Sequence, residues 1–161
     1  MHRIGRDNYQ FGMIPDKVKV IFSFGEIDCR CHIGKYLHER DLDSIISDLV
    51  VPFERTLQNQ RERFLDIGVL SVPPPAYMKN IVYQKDYPIS NTDEERSTFT
   101  RRLNCELQKM CKTNKWTWFN VYPFYCEENG MLIYELSDKS VHIGDYGKRA
   151  ESEFSKWNWY E

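Results

Sequence analysis

The sequence alternates between two hydrophobic periodicities, and this alternation is the strongest constraint on its fold. Short runs rich in β-branched and aromatic residues predict three strands, at residues 18–24, 67–72 and 116–121. Apolar residues after each run recur at steps of three and four, which predicts helices that begin near Asp41, Thr92 and residue 145. A strand–helix order repeated in this way is typical of an α/β layered domain with a parallel sheet.

Individual residues predict where these helices begin or bend. Thr92 and Glu95 have the spacing of a capping box, in which each side chain binds a backbone N–H that the first turn leaves unpaired. Pro52 lies within the periodic stretch 41–64, and we expect it to kink that helix or divide it into two because proline lacks a backbone N–H. The last helix is expected over residues 145–158, with an apolar face formed by Tyr146, Ala150, Phe154 and Trp157.

Length, composition and charge indicate one domain over residues 1–161. A chain of 161 residues fits a single core, and its 41% of hydrophobic residues excludes disorder as the main state. The 22 Lys+Arg and 24 Asp+Glu leave a net charge of −2. This balance excludes the broad basic surface typical of proteins that coat nucleic acid or membranes. We therefore expect a small-molecule partner bound in a site, with no nucleic acid and no membrane.

The cysteines and the start of the chain favour a cytoplasmic location. Five cysteines are an odd number in a domain of ordinary size, so free thiols are expected rather than a disulfide framework. No stretch approaches the ~20 apolar residues that cross a bilayer, and the polar start has no apolar signal-peptide region behind it. Cys29, Cys31 and His32 lack the spacing of a structural zinc site, so no metal is expected.

Polar residues follow the first predicted strand and precede the last helix, at residues 25–32 and 137–142. Ligands of parallel α/β sheets bind at the carboxyl ends of the strands, so these two segments are the candidate site. In the first, Glu26, Asp28 and Arg30 alternate in charge. Arg30 is a candidate to bind a carboxylate or phosphate. The alternative is an internal ion-pair network that holds the loop.

The second segment contains a histidine four residues after an aspartate. His142 there is able to accept a proton from a hydroxyl, while Asp138 fixes its tautomer and stabilises the imidazolium. The alternative is a loop histidine that caps a helix or contacts solvent, since one His–Asp pair is a weak signal.

The order of these motifs resembles the SGNH/GDSL hydrolase superfamily. The resemblance rests on Gly25-Glu26-Ile27-Asp28 after a strand, and on Asp138 and His142 before the final helix. The corresponding family motifs are Gly-x-Asn-Asp after the third strand and Asp-x-x-His before the last helix. The resemblance covers residues 15–158 and implies a three-layer, flavodoxin-like parallel sheet with flanking helices.

The resemblance also implies an acyl-transfer enzyme. Such enzymes are usually esterases or deacetylases that act on O-acyl esters, often of carbohydrates, and they need no cofactor or metal. His142 would be the general base and Asp138 its orienting carboxylate. The turn that begins at Gly25 would belong to the oxyanion-hole and substrate region, whose candidate residues are Gly25, Glu26, Asp28 and Arg30.

The sequence departs from the family pattern at three points. Asp138 is four residues before His142, and Lys139 occupies the position three before it. Ile27, which has no donor side chain, occupies the position of the family's oxyanion-hole Asn. No Gly-Asp-Ser motif, which carries the nucleophilic serine of the family, occurs in the chain; Ser23 lies within a predicted apolar strand and is not a candidate.

The missing motif implies a fold that is incomplete at its N-terminus. In the family the first strand lies beside the strand equivalent to residues 18–24, so its absence exposes an apolar sheet edge. Either the protein begins upstream of Met1, or residues 1–14 or a second copy in a homodimer cover this edge, or the chain is a decayed relative that folds poorly alone.

Three functional hypotheses follow. The first is hydrolysis of an O-acyl ester by His142 and Asp138. The second is a non-catalytic protein that binds a ligand or partner at the same strand ends, because the nucleophilic serine is absent. The third is a thiol enzyme in which His142 activates Cys29 or Cys31.

Overall fold

Three parallel strands form the sheet of the computed structural model, which describes residues 1, 9–81, 89, 91–145 and 147–158. The strands are β1 (Lys19–Phe22), β2 (Asp66–Leu70) and β3 (Thr117–Phe119), adjacent in chain order. Val20 is paired with Ile67, and Val69 with Trp118. The predicted parallel α/β architecture is therefore confirmed, although each strand is shorter than the run that predicted it.

Helices connect and follow the strands. They are α1 (Ile33–Tyr36), α2 (Leu42–Gln58), α3 (Asp93–Asn114), α4 (Tyr122–Tyr125) and α5 (Glu151–Phe154). A π-helical turn, Asp28–His32, leads directly into α1. Shorter 3₁₀ turns lie at Arg61–Arg63, Met78–Asn80, Tyr134–Leu136 and Lys148–Ala150. Among the described residues, no helix combines the length and the apolar composition needed to cross a bilayer.

The helix that contains Pro52 is continuous, so the expected division into two helices is wrong. Asp41 caps its N-terminus by accepting a hydrogen bond from the Ser44 backbone N–H (2.9 Å). Leu49 and Phe53, on either side of the proline, are both buried. The packing of this apolar face stabilises the helix across a residue that is unfavourable inside it. The helix ends at Gln58, before the predicted end of the periodic stretch.

The capping box of α3 is confirmed. The Thr92 hydroxyl accepts from the Glu95 backbone N–H (3.2 Å), and the Glu95 carboxylate accepts from the Thr92 N–H (2.8 Å). The inner face of the helix is buried, and Lys115 ends it with a left-handed backbone conformation.

The predicted C-terminal helix is much shorter than expected. Only a 3₁₀ turn and the four residues of α5 are helical between residues 147 and 158, and Tyr146 lies outside the described residues. The Asp145 carboxylate accepts from the Gly147 backbone N–H (3.0 Å). Gly147 has a φ of +81°, which a continuous helix does not permit. The turn therefore delays the start of the α-helix to Glu151.

Two apolar cores lie on the two faces of the sheet, which makes three layers. Ile67 and Val69 belong to the core formed with α2 and α3. Leu70, at the end of the same strand, packs in the second core, which includes Phe154 of α5. In the described part of the chain, no strand pairs with the outer edge of β1.

Candidate active site

The carboxyl ends of the strands border a cleft of about 230 Å³, which we call the strand-end cleft. Its lining residues are Ser23, Phe24, Glu26, Leu70, Pro73, Val121, His142 and Ile143. The polar segments 25–32 and 137–142 therefore meet here, through Glu26 and His142. The sequence located both segments, and the fold places one member of each on the same cleft.

Gly25 makes the sharp turn between β1 and the helical segment that follows. Its φ is +114°, a backbone conformation that residues other than glycine rarely adopt. A Cβ at this position would lie 2.7 Å from the Val72 side chain. The turn therefore requires glycine for backbone conformation and for packing, and it positions the neighbouring Phe24 and Glu26 on the cleft wall.

Glu26 and Arg30 form an ion pair. Arg30 Nε donates to Glu26 Oε1 (2.6 Å), and a terminal guanidinium nitrogen donates to Oε2 (3.2 Å). Arg30 is buried and does not line the cleft. Of the two readings of this segment, the structure shows the ion pair that holds the loop, while a ligand-binding role for Arg30 stays a prediction.

Asp28 is buried and is not among the residues that line the cleft. Its carboxylate accepts from the α-amino group of Met1 (2.9 Å) and pairs with His32 Nδ1 (3.1 Å). Burial alone would raise the pKa of Asp28, but these two partners lower it. Because both its oxygens are engaged, we find Asp28 in a supporting position beside the cleft.

His142 and Asp138, the two candidate residues of the second polar segment, lie within hydrogen-bond distance of each other. His142 Nδ1 lies 2.9 Å from Asp138 Oδ2, and the side chain of His142 is 70% exposed. Partial burial acts to raise the pKa of Asp138, but hydrogen bonds from the His142 side chain and from backbone N–H groups outweigh it and lower that pKa. An ionised carboxylate is only an acceptor, so it selects the tautomer with the proton on Nδ1. Nε2 is then left as the basic nitrogen.

The loop that carries this pair fixes its geometry with its own backbone. Ser137 and Ile143 form an antiparallel bridge, and the Asp138 N–H donates to the His142 carbonyl (2.9 Å). Lys139 accommodates the tight loop with a φ of +67°. Asp138 therefore reaches the imidazole although it is four residues away, and the longer spacing does not prevent the pair.

A buried tyrosine holds the segment that follows the pair. The Tyr125 hydroxyl donates to Asp145 Oδ1 (2.9 Å), and Tyr125 is fully buried. Burial, together with the adjacent carboxylate, raises the pKa of Tyr125 to about 12. The hydroxyl is therefore a permanent donor that ties the loop to the second core.

Ser23 becomes a candidate residue in the folded structure. The apolar run places it inside a strand, which is wrong, because β1 ends at Phe22 and Ser23 is exposed on the same cleft as His142. Its hydroxyl forms no hydrogen bond with another described residue. The signal that would have found it is the onset of the Gly25 turn, which ends the strand two residues earlier than the apolar run does.

The thiol hypothesis is wrong for this site. Cys29 and Cys31 are buried and neither lines the cleft. Burial raises the pKa of both thiols, which suppresses the reactive thiolate. Within the described ranges, no group of three or more His, Cys, Asp or Glu side chains is arranged to hold a metal ion.

Comparison with known proteins assigns the fold. No family model matches the chain, and no curated protein matches its sequence. It is similar to a GDSL-like lipase from Bacteroides thetaiotaomicron, with a TM-score of 0.55 and 15% identity over 96% of this chain and 66% of that one. A Streptococcus pneumonia protein assigned as a platelet activating factor matches with a TM-score of 0.55 and 16% identity, over 92% of this chain and 68% of that one.

A third solved structure is the OSK domain of Drosophila Oskar, with a TM-score of 0.53 and 13% identity over 89% of this chain and 62% of that domain. At these identities the likeness defines the fold alone. The chain thus shares the α/β fold of these three structures, in agreement with the fold that the motif order implied, and spans 62–68% of their length.

Proposed function

We propose that this chain hydrolyses O-acyl esters of small molecules, carbohydrate esters among them, in the strand-end cleft. The observation that carries the proposal is the hydrogen bond of 2.9 Å between His142 Nδ1 and Asp138 Oδ2, with His142 on that cleft. The carboxylate leaves Nε2 basic and open to a hydroxyl, as general-base catalysis requires. The hydrolase-like fold supports this chemistry.

We propose Ser23 as the nucleophile. Its oxygen attacks the ester carbonyl carbon while His142 Nε2 takes the hydroxyl proton. The bond between the carbonyl carbon and the alcohol oxygen then breaks, and the alcohol leaves with the proton from His142. Water attacks the acyl-serine with the same imidazole as base, which releases the carboxylic acid and restores Ser23.

The cleft favours a short acyl group. Its walls are mainly apolar, with Phe24, Leu70, Pro73 and Val121 among the lining residues. Its volume of about 230 Å³ lies below the ~300–1,000 Å³ typical of sites for drug-sized ligands. Acetyl and butyryl esters are therefore the first substrates to test.

Loss of the imidazole tests the base. We expect His142→Ala to lower the hydrolysis of p-nitrophenyl acetate by about 10²–10⁴-fold, the usual contribution of a positioned general base. His38→Ala is the matched control, because His38 is similarly exposed and pairs with a carboxylate, that of Glu39, at 3.0 Å. Equal rates for the two variants, or no turnover by the well-folded chain, would contradict the proposal.

A covalent probe tests the nucleophile separately. A fluorophosphonate should add to Ser23, located by peptide mass spectrometry, and Ser23→Ala should abolish both the adduct and the turnover. Ser47→Ala is the control, an exposed serine on α2. Turnover that survives Ser23→Ala but not His142→Ala would mean that another group or a water molecule attacks the ester.

A second candidate function is ligand binding without turnover. The observation that favours it is Ile27, exposed beside the cleft at the position where the family has a donor side chain. Under this alternative, a carbohydrate ester binds equally to the chain and to His142→Ala, and no ester is hydrolysed. Arg30→Ala, which removes the partner of Glu26, should then weaken binding.

A further inference from the structure

A second cavity lies between α1 and α2, away from the strand-end cleft. Its volume is about 220 Å³, and none of its lining residues belongs to the strand-end cleft. Its floor is apolar, because Ile33, Ile45 and Leu49 line it and are buried in the core. We call it the α1–α2 cavity. Its remaining lining residues are polar or aromatic and are His32, Lys35, Tyr36, Arg40 and Asp48.

Of the charged side chains that line this cavity, Lys35 is the cation that forms no ion pair with a described residue. Arg40 is neutralised by Asp48, with a guanidinium nitrogen 2.6 Å from Oδ2. His32 is bound to the buried Asp28. The ammonium group of Lys35 contacts the ring of Tyr36, with Nζ 5.6 Å from the ring centroid, and forms no ion pair with a described residue. An exposed monovalent positive charge thus lies at the rim of an apolar floor.

We propose that the α1–α2 cavity binds a short aliphatic carboxylic acid, with its hydrocarbon chain on the floor and its carboxylate at Lys35. Apolar burial favours the chain, and the unpaired ammonium complements one negative charge. A dianion such as phosphate fits less well, because the Asp48 carboxylate lies on the same rim and the floor offers no polar group. The small volume limits the ligand to a short chain.

Titration of the full chain with hexanoate, followed by two-dimensional NMR of its backbone amides, tests this assignment. Hexanoate should shift the amides of Ile33 and Leu49, while acetate, which lacks the hydrocarbon chain, and hexylamine, which carries the opposite charge, should bind more weakly. These three titrations vary the ligand and leave the protein unchanged, so they test binding to the apolar floor without altering a core residue. Equal affinity for hexanoate and acetate would overturn the role of the floor.

Lys35→Gln tests the charge. An exposed ion pair contributes about 0.2–1 kcal/mol, so the variant should bind hexanoate roughly 1.4- to 5-fold more weakly. It should bind neutral hexan-1-ol as the unmodified chain does. Lys79→Gln is a matched control, because Lys79 also lies over a tyrosine ring, that of Tyr77, at 5.2 Å. An unchanged affinity in Lys35→Gln, an equal loss in Lys79→Gln, or shifts confined to the strand-end cleft would refute the proposal.

Discussion

The amide side chain of Asn104 offers a sharp test of how the cleft is supported. It lies on α3 and is buried, with Oδ1 accepting from the Val72 N–H (2.7 Å) and Nδ2 donating to the Val72 carbonyl (2.9 Å). Val72 follows the last residues of β2 and precedes Pro73, which lines the strand-end cleft. The Asn104 amide thus forms hydrogen bonds with both the N–H and the carbonyl of Val72, which lies beyond the end of β2.

Replacing Asn104 with alanine should therefore be costly. Each buried backbone group left unpaired costs about 1–3 kcal/mol, so loss of both partners in Asn104→Ala should lower the free energy of unfolding by about 2–6 kcal/mol. For a chain of this size that is a fall in Tm of roughly 4–24 °C. The assay is urea unfolding followed by far-UV circular dichroism, with the slope m compared between variants.

Gln108, one turn further along α3, provides the control. It is exposed and its side chain forms no hydrogen bond with another described residue, so Gln108→Ala should change stability by less than about 0.5 kcal/mol. Hydrogen exchange locates the effect, because the Val72 amide should lose protection in Asn104→Ala more than the β2 amides do. A loss of stability below about 1 kcal/mol, or unchanged protection of Val72, would refute this account of the turn.

Three further outcomes are expected. Iodoacetamide should label the exposed Cys105 in the folded chain and spare Cys29 and Cys31, because burial raises the pKa of both; fast labelling of either buried thiol, read by mass spectrometry, would contradict this. The folded chain lowers the pKa of Asp138 below its ordinary 3.8. The ionised carboxylate therefore contributes its full stabilisation above pH 3.8, and that contribution is lost as the pH falls through the folded pKa. The difference in unfolding free energy between the parent chain and Asp138→Asn, measured by denaturation, should therefore shrink on acidification. If a second copy covers the edge of β1 with which no described strand pairs, light scattering should show a dimer that Val20→Pro converts to a monomer, and a monomeric parent chain would exclude that interface.

The sequence was sufficient to predict a layered α/β domain with a parallel sheet. Periodicity distinguishes strands from helices, so the runs around Val20, Val69 and Trp118 are found in strands as expected. The capping box at Thr92 was equally readable, because both of its partners are local. Features that depend on contacts close in the chain, or on one repeated pattern, were therefore accessible.

The errors arise where distant packing outweighs a local preference. Pro52 does not divide its helix, because the buried residues on both sides hold the apolar face against the sheet and α3. The C-terminal helix begins later than predicted because the side chain of Asp145 accepts a hydrogen bond in the turn at Gly147. Periodicity indicates the buried face around Pro52 but not whether its packing outweighs the proline, and the Asp145 contact follows no periodic pattern, so both required the folded structure.

The candidate site shows a similar division between motif and geometry. Counting residues suggested that an aspartate four positions before His142 departs from a catalytic pattern, yet the pair forms at hydrogen-bond distance. The reason is that a carboxylate orients an imidazole by its position in space, and the bridge between Ser137 and Ile143 with the left-handed Lys139 accommodates the extra residue. The same logic applies to Ser23, which no motif marks and which shares the cleft only because the Gly25 turn ends its strand. The set of side chains that line the cleft is therefore decided by where the strands end and how the loops turn, rather than by motif spacing.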